Sequence, residues 1–598
     1  MIIMGISPLD KDATVSLVID GKVVFAAGEE RFTRVKQQKG FPTLAFNKAL
    51  EVTGIDVNDI DTIVYPFLEA KGETHAIDKN MKEPVGKCVS KKLPLIPFRN
   101  TKMVPGLLDS NEVMKKPLHH NIAYYLLGKP SFLSQMVSKR HFSDWGREAE
   151  NNFVKIDELI KLNLSQLGYK RKLKRVDHHR SHAANAYYAS PFKNALVVTL
   201  DGYGTGQAGS VSHCIDGDMK LLHKTPYPHS LGLMFEQVTS ALGFKPSRHE
   251  GKIVGLAAYG DPAVLGEYIL SQIEQSPGMF LFNEPHNPYF ARFLASRYSK
   301  IDVAAGFQWA LEQIACKYIS HYVVQTGCKN VVLSGGVTAN VKLNQRIYEI
   351  NGVDSIFVYP NMGDGGCATG AAMMESVSNG EPVSFENLYL GTVYSDTYIE
   401  AALIKEGLNF TQPEGLAGEV ADYILGGGVI ARFDGRMEYG PRALGNRSII
   451  YHGRDVDVNQ WLNKKLGRTE FMPFAPVALD EDAERYFINF VGLSRAAEFM
   501  TVTLDCKEQM KKDCPAAVHI DGTARPQVII REHNPNYYDI LKSYKDKTGV
   551  GALINTSFNM HEEPIVESPE DAIRAFLLGG LDALAIGSFL VRKPVEKD

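Results

Sequence analysis

Residues 195–226 read ALVVTLDGYGTGQAGSVSHCIDGDMKLLHKTP. An apolar run (ALVVTL), a glycine-rich stretch (DGYGTGQAG), a second run (SVSHCID), an Asp216-Gly217 pair and a third run (KLLHKT) read as three strands joined by tight turns. Asp-Gly between apolar runs is a strong hairpin signal. The same order stands at the start of the chain: MIIMGIS, a polar loop PLDKDA, TVSLVID, an Asp20-Gly21 pair and KVVFAAGEE. This is an internal repeat of architecture. The repeat also disposes of a competing motif. GTGQAG, Gly204 to Gly209, fits G-x-G-x-x-G, but a dinucleotide fingerprint needs a helix after it and an acid about 20 residues further on. A strand pattern follows here. The glycines are therefore read as letting backbone amides approach a phosphate or a metal-bound ligand.

A duplicated strand–loop–strand–turn–strand unit is the layout of the actin/hexokinase/Hsp70 (ASKHA) class of α/β folds, in which two tight loops face each other across a nucleotide cleft. Later segments alternate in the βα manner. NVVLSGG precedes the helical VTANVKLNQRIYEI, and SIFVYP precedes a loop NMGDGG and the helix CATGAAMMESV. The polar, turn-rich stretch 378–395 marks a domain boundary, which gives a first domain at 1–390 and a second at 396–598. In the second, VIARF, RSIIYHG, FAPVAL, FMTVTLD, PQVIIRE and GVGALINTS read as strands of a separate α/β unit. Residues 68–175 resist such a reading and are treated as an insertion. Its basic run KRKLKR, 170–175, is taken as a solvated face rather than an RNA or phosphate patch.

At 598 residues the chain exceeds one core,. Its 44% hydrophobic and 22% charged residues are those of an ordinary globular protein,. A net charge of −4 gives no reason to expect nucleic acid or an anionic membrane as partner,. The seven cysteines are scattered without a CxxC pair, which fits a reducing cytoplasm and argues against a cysteine-rich zinc site. No apolar run approaches the ~20 residues needed to span a bilayer, and the N-terminus shows no signal-peptide pattern. A cytoplasmic protein is expected.

Upstream of the second repeat, VDHHRSHAANAYY places His178 and His182 four residues apart, on one helix face,. A zinc-protease helix would carry Glu after the first His, where this chain has His179,. Asp201 ends ALVVTL, and Asp364 stands in the glycine loop GDGG. Carboxylates at such strand ends point into clefts, although Asp-Gly is also ordinary turn chemistry. Two imidazoles with one or two carboxylates and no thiolate suit Fe(II), Mn(II) or Zn(II) with positions left open for substrate oxygens.

HHRSHAANAYYASPF, LDGYGTGQAGS, HEGKIVGLAAYGDP, LSGGVTANVKLNQRI, NMGDGGCATGAA, DGRMEYGPRALGNRSI, MPFAPV, DGTARPQ and LINTSFN…EPIVESPEDA together resemble the ATP-dependent O-carbamoyltransferases of antibiotic, toxin and nodulation-factor biosynthesis. Those enzymes are related to the hydrogenase-maturation carbamoyltransferase and to the tRNA threonylcarbamoyl-transfer enzymes. The resemblance spans nearly the whole chain and is weakest at 68–175. It implies a YrdC-like C-terminal domain that makes carbamoyl-adenylate from carbamoyl phosphate and Mg-ATP. The intermediate would pass internally to an ASKHA-type domain, where a metal, iron in relatives, would hold it for attack by a hydroxyl of a small natural product. By the same resemblance His178, His182, Asp201 and Asp364 would be the ligands. Gly204, Lys252, Gly335, Gly336 and Asn340 would lie at the nucleotide. Arg442, Arg447, Lys465, Arg468, Arg525, Asn555 and Ser557 would take ATP and carbamoyl phosphate. Arginine suits that task because its planar fork donates bidentately to phosphate.

Three departures stand out. Lys11-Asp12 in PLDKDA replaces the His-Asp of relatives, so Asp12, or Lys11 with a lowered pKa, would have to serve as base. RTEFM at 468–472 has Thr469 and Met472 where relatives carry Glu and Arg, and MHEE at 560–563 lacks a glycine. The acceptor is not legible; family members span aminoglycoside, macrolide-type, cephem and saxitoxin-type alcohols. The alternatives are a tRNA threonylcarbamoyl-type enzyme, a sugar-kinase-like phosphoryl transferase and a non-catalytic scaffold. No membrane partner is expected, and a homodimer is left open.

Overall fold

The computed structural model of the chain describes residues 1–87, 91–95, 104, 107, 117–467 and 472–593. They fall into two compact units. One comprises Met1–Val64, Leu167–Leu173 and Ala372–Asp598; the other comprises Tyr65–Gln166 and Lys174–Ala371.

In the first unit β1 (Ile2–Ile6), β2 (Thr14–Ile19) and β3 (Lys22–Gly28) form an antiparallel meander, and β4 (Thr62–Tyr65) joins β1 in parallel on its other side. The second unit repeats the arrangement. There β5 (Asn194–Gly204), β6 (Gln207–Ile215) and β7 (Asp218–Pro226) form the meander, and β8 (Asn330–Ser334) joins β5 in parallel. A fifth strand, β9 (Ser355–Val358), extends the sheet beyond β8.

The likeness reaches single residues. Asp20-Gly21 has φ of 48° and 78°, and Asp216-Gly217 has 47° and 94°, the positive pair that a tight I′ hairpin turn requires. Each turn aspartate donates its N–H to the carbonyl just before the first strand of its own sheet, Asp20 to Met1 at 2.9 Å and Asp216 to Lys193 at 2.8 Å. In both copies the second and third strands slip register, at Leu17/Val18 and at Val211/Ser212. The duplicated ASKHA-type α/β architecture expected from sequence is what the chain forms.

One detail differs. Asp201 does not end its strand; β5 runs on irregularly to Gly204, and the tight turn is Thr205-Gly206, with φ of 47° and 72°. Gly204 lets the backbone continue where a side chain would collide with His178. Strand β6 follows at once, as the rejection of the dinucleotide motif requires.

The C-terminal part of the first unit is an eight-stranded mixed sheet. Its strands are β10 (Phe410–Thr411), β11 (Ile430–Phe433), β12 (Arg447–Tyr451), β13 (Ala475–Leu479), β14 (Gln527–Ile529), β15 (Ala552–Ser557), β16 (Ala583–Ile586) and β17 (Phe589–Arg592), in the order β10-β17-β16-β11-β12-β15-β13-β14. Successive residues feed opposite faces, as strand geometry dictates. Ile449 and Ile554 pack in one core with Leu403 and Phe576, while Ile450 and Leu553 pack in the other with Val420 and Tyr537. FMTVTLD forms a strand only at Leu504–Asp505, and the backbone turns at Met500, which adopts φ 56°. The boundary stretch lies along the first sheet, with Ser384 bridging Lys22 and the Leu390 carbonyl accepting from Ala26 N–H at 3.1 Å.

The insertion supplies the helices Ala70–Asn80, Leu118–Gly128 and Phe132–Gln166. In the KRKLKR run, Arg171 pairs with Asp61 at 2.9 Å, and Arg175 pairs with Asp157 at 2.6 Å. Among the described residues no helix is long and apolar enough to cross a membrane.

Candidate active site

The helix His178–Ala189 is capped by Asp177, whose carboxylate accepts the Arg180 N–H at 2.9 Å. Ten of its side chains are buried, including all three histidines, so it is a core helix. His179 turns away, with Nδ1 2.8 Å from Thr199 Oγ1. Burial, with His178 close by, lowers its pKa to about 4. It is a neutral packing residue.

His178 and His182 face two carboxylates. His178 Nε2 lies 3.2 Å from Asp201 Oδ2 and 3.6 Å from Asp364 Oδ1; for His182 Nε2 the distances are 3.7 and 3.6 Å. One ligand atom from each of the four lies within 4.8 Å of all the others, and all four residues are buried. Burial alone would raise the Asp201 pKa, but the two imidazoles outweigh it and hold the carboxyl well below the usual range. The opposite faces of Asp201 and His182 are fixed. Asp201 Oδ1 accepts the Gly336 N–H at 2.8 Å. Ser334 Oγ donates to the Met362 carbonyl at 3.4 Å, which leaves its lone pair for the Nδ1–H of His182 at 2.9 Å. In the neutral ring that bond sets the tautomer and leaves Nε2 as the ligating nitrogen. Nε2 is buried and has no hydrogen-bond partner. Although burial opposes it, Cys367, Asp201 and Asp364 hold the His182 pKa well above the usual histidine range, and a divalent cation would take the place of that proton between the imidazole and the two carboxylates. The donor set therefore fits a metal ion.

Glycines give this cluster its room. A Cβ on Gly204 would fall 2.1 Å from His178 Cδ2, and one on Gly335 (φ 99°) would fall 2.2 Å from the Leu200 carbonyl oxygen. Gly204→Ala is expected to displace the His178 ring. Metal content and transfer rate should fall together by on the order of a hundredfold, as read by metal analysis of the purified protein beside its thermal melt.

In the C-terminal sheet a second site forms around the loop 440–446, which leads into β12. The Glu438 carboxylate accepts the N–H groups of Leu444 and Asn446 at 2.8 Å and of Arg447 at 3.1 Å, holding the loop from beneath. From β15 and β14, Asn555 donates to the Ala443 carbonyl at 3.2 Å and to Gln527 Oε1 at 2.7 Å, while Gln527 donates to the Leu444 carbonyl at 2.8 Å. The Arg447 guanidinium stacks 3.6 Å from the centre of the Phe433 ring, and Nη1 donates to the carbonyls of Asp434, Gly435 and Asn446. Its Nε and Nη2 are buried without hydrogen-bond partners, and burial lowers the pKa to about 10. Unpaired buried guanidinium donors are what an anion would satisfy.

Sequence comparison joins the two sites. A carbamoyltransferase N-terminus family model matches residues 2–373, more than half of the chain, and a carbamoyltransferase C-terminus model matches residues 421–593. The chain belongs to the carbamoyltransferase family. Nodulation protein NolNO of Sinorhizobium fredii is 31% identical over 97% of this chain and 79% of its own length. The 3'-hydroxymethylcephem-O-carbamoyltransferase of Amycolatopsis lactamdurans is 26% identical over 69% of this chain and 79% of its own. Among solved structures, HypF of T. kodakarensis matches 64% of this chain and 48% of its own at 12% identity and a TM-score of 0.32.

Within this carbamoyltransferase the residues named from sequence are distributed unevenly. His178, His182, Asp201 and Asp364 converge, with Gly204, Gly335 and Gly336 packed around them. Asn340 caps the helix Val341–Tyr348 and exchanges amide bonds with Gln308 at 2.8 and 3.2 Å. Lys252 is buried on the helix Glu250–Ala257. Arg447 and Asn555 meet at the 440–446 loop, which contains Arg442, and Arg525 lies just ahead of β14. Ser557 instead donates to Asn559 at 2.6 Å, and Lys465 lies 4.0 Å from Asp582. Arg468 and Thr469 fall outside the described residues. Lys11 and Asp12 belong to the first unit, in a loop where Ser7 and Thr14 hydroxyls hold the Asp12 carbonyl at 3.0 and 2.8 Å.

One expectation is corrected. The site is not free of thiols, because Cys367 lies in a cluster with both histidines. Scattered spacing had set it aside, although its position three residues after Asp364 was the available signal. Glu438, Gln527 and Ser334 were also missed as site residues. All three stand inside recognised motifs, Glu438 within DGRMEYGPRALGNRSI, though nothing local marks it as a loop anchor.

Proposed function

We propose that the chain is an ATP-dependent O-carbamoyltransferase acting on a hydroxyl of a small natural product. The division of labour proposed is residues 1–390 for transfer and 396–598 for activation. In the activating domain carbamoyl phosphate is split with one water to carbamate and phosphate, and carbamate attacks the α-phosphate of Mg-ATP to give carbamoyl-adenylate and pyrophosphate. The acceptor hydroxyl then attacks the carbamoyl carbon, and AMP leaves. The observation that carries the reading is the buried His178, His182, Asp201 and Asp364 cluster in a chain of this family.

Those four side chains would hold Fe(II), Mn(II) or Zn(II), which supplies Lewis-acid polarisation of the carbamoyl carbonyl. The chain's own groups do the rest. Arg447 Nε and Nη2, with Arg442 and Arg525, bind phosphate oxygens. Asn555 and Gln527 keep the 440–446 loop in the shape that presents them. Gly335 and Gly336 admit the nucleotide closely, with Asn340 and Lys252 beside it. Asp12, or Lys11, takes the proton of the attacking hydroxyl. Internal passage of the adenylate protects it from hydrolysis.

The test is product analysis with carbamoyl phosphate, ATP, Fe(II) and a panel of alcohols. AMP, pyrophosphate and an acceptor heavier by one carbamoyl group are expected. ADP in place of AMP, or transfer that depends on added tRNA, overturns the proposal.

A further inference from the structure

We infer that the chain pairs with a second copy of itself through an apolar face formed by two consecutive helices of the insertion, Leu118–Gly128 and the opening turns of Phe132–Gln166. The inference does not depend on the catalytic reading above.

An ordinary surface helix turns its apolar side to the core and its polar side to water. The opening of the long helix does the reverse. Ser134 and Ser138 are buried; the Ser134 hydroxyl donates to the Glu284 carboxylate, and Ser138 Oγ accepts the His286 N–H at 3.0 Å. Phe132, Leu133 and Met136 are left in solvent, Phe132 at 79% exposure. The shorter helix is also held from within. Its Leu127 carbonyl accepts the Asn287 side-chain amide at 2.8 Å, and a Cβ on Gly128 would fall 2.3 Å from the Tyr289 carbonyl oxygen. On its outer side stand Leu118, Ile122, Tyr125 and Leu126, spaced i, i+4, i+7 and i+8,. Leu118 is 76% exposed and the other three 43–53%. The two helices pack on each other.

Area and charge select the occupant. Given the sizes of these side chains, the seven leave roughly 800 Å² of mainly apolar surface in water, beyond the few hundred that a monomer's patches usually reach,. Each partner in a standard stable interface contributes about that area. From Leu118 to Met136 the one Lys, Arg, Asp or Glu is Lys129. A two-fold interface sets a patch against its own copy. An uncharged face therefore meets itself without like-charge repulsion, and it offers little for an unlike, charged partner to read.

Sedimentation equilibrium of the full-length chain at about 10 µM tests this, a concentration at which a contact with a micromolar dissociation constant is mostly formed. Twice the mass of the chain is expected. Leu126→Glu combined with Phe132→Glu should weaken self-association by at least about 100-fold, since each removes an apolar anchor from both sides of the interface. The melt and the metal content of that variant should match the unaltered protein. Ile122→Lys combined with Met136→Lys is a second variant in case the first folds poorly. A monomeric unaltered chain overturns the inference, and one that also co-sediments with phosphatidylcholine vesicles reassigns the face to a lipid surface. A dimer that survives in both well-folded variants places the interface elsewhere and overturns it equally.

Discussion

His182→Ala will purify without its metal and will fail to carbamoylate an acceptor, with transfer down by at least about a hundredfold. The magnitude follows from position. Changing only an outer partner of a ligating histidine typically costs 10–100-fold, and this substitution removes the ligand itself. It removes the one nitrogen whose tautomer the chain fixes through Ser334, and it deprives Asp201 of an imidazole 3.7 Å away. A buried carboxylate losing a partner also costs stability, about 3–5 kcal/mol where a buried ion pair is broken, so the melt must be read beside the rate. The discriminating measurement is carbamoyl phosphate-dependent ATP–pyrophosphate exchange, which the proposed function assigns to the C-terminal site. Exchange should persist in His182→Ala. Loss of both activities in a protein that melts normally would mean that the histidines serve activation rather than transfer.

The reciprocal result is expected of Arg447. Replacing it with Met keeps much of the bulk over Phe433 but removes every donor. Exchange should fall by about 10²–10³, the usual cost of losing a preorganised donor to developing charge. Arg447→Lys should rescue little, because one ammonium cannot both hold the carbonyls of Asp434, Gly435 and Asn446 and still present two donors outward,. The loop will loosen when those carbonyls lose a partner, at about 1–3 kcal/mol. Metal content is the control, since the histidine cluster lies in the other compact unit. Arg447→Met that keeps full exchange would show that the unpaired guanidinium edge meets no substrate.

How much of this was legible in the sequence depended on whether a feature is encoded locally. The two Asp-Gly turns announce themselves because only positive φ closes such a hairpin,, and their recurrence exposed the duplicated sheet. The i, i+4 histidines are likewise a helix property. Their convergence with Asp201 and Asp364 is not local, since the two aspartates stand 163 positions apart in the chain; resemblance supplied that link. What escaped was set by tertiary packing. The continuation of β5 through Asp201 depends on Gly204, which leaves space for His178. Glu438 matters through three backbone N–H groups that come together only once its loop has closed. Cys367 looks like a stray cysteine until the turn before it places its sulfur beside the imidazoles.

The first compact unit is assembled from both ends of the polypeptide: residues 1–64 and 372–598 belong to it together. Arg31 reaches the Gly440 carbonyl at 2.7 Å, Arg34 reaches those of Pro564 and Ile565 at 2.8 Å, and Arg436 returns to the Val24 carbonyl at 2.7 Å. During vectorial synthesis the opening meander therefore leaves the ribosome roughly 300 residues before its partners exist, a delay on the order of 15–60 s at ~5–20 residues per second. Residues 1–64 must wait through that interval unfinished while the intervening unit matures. A gene cut between its two family halves would consequently yield fragments that have to be produced together before either can complete itself.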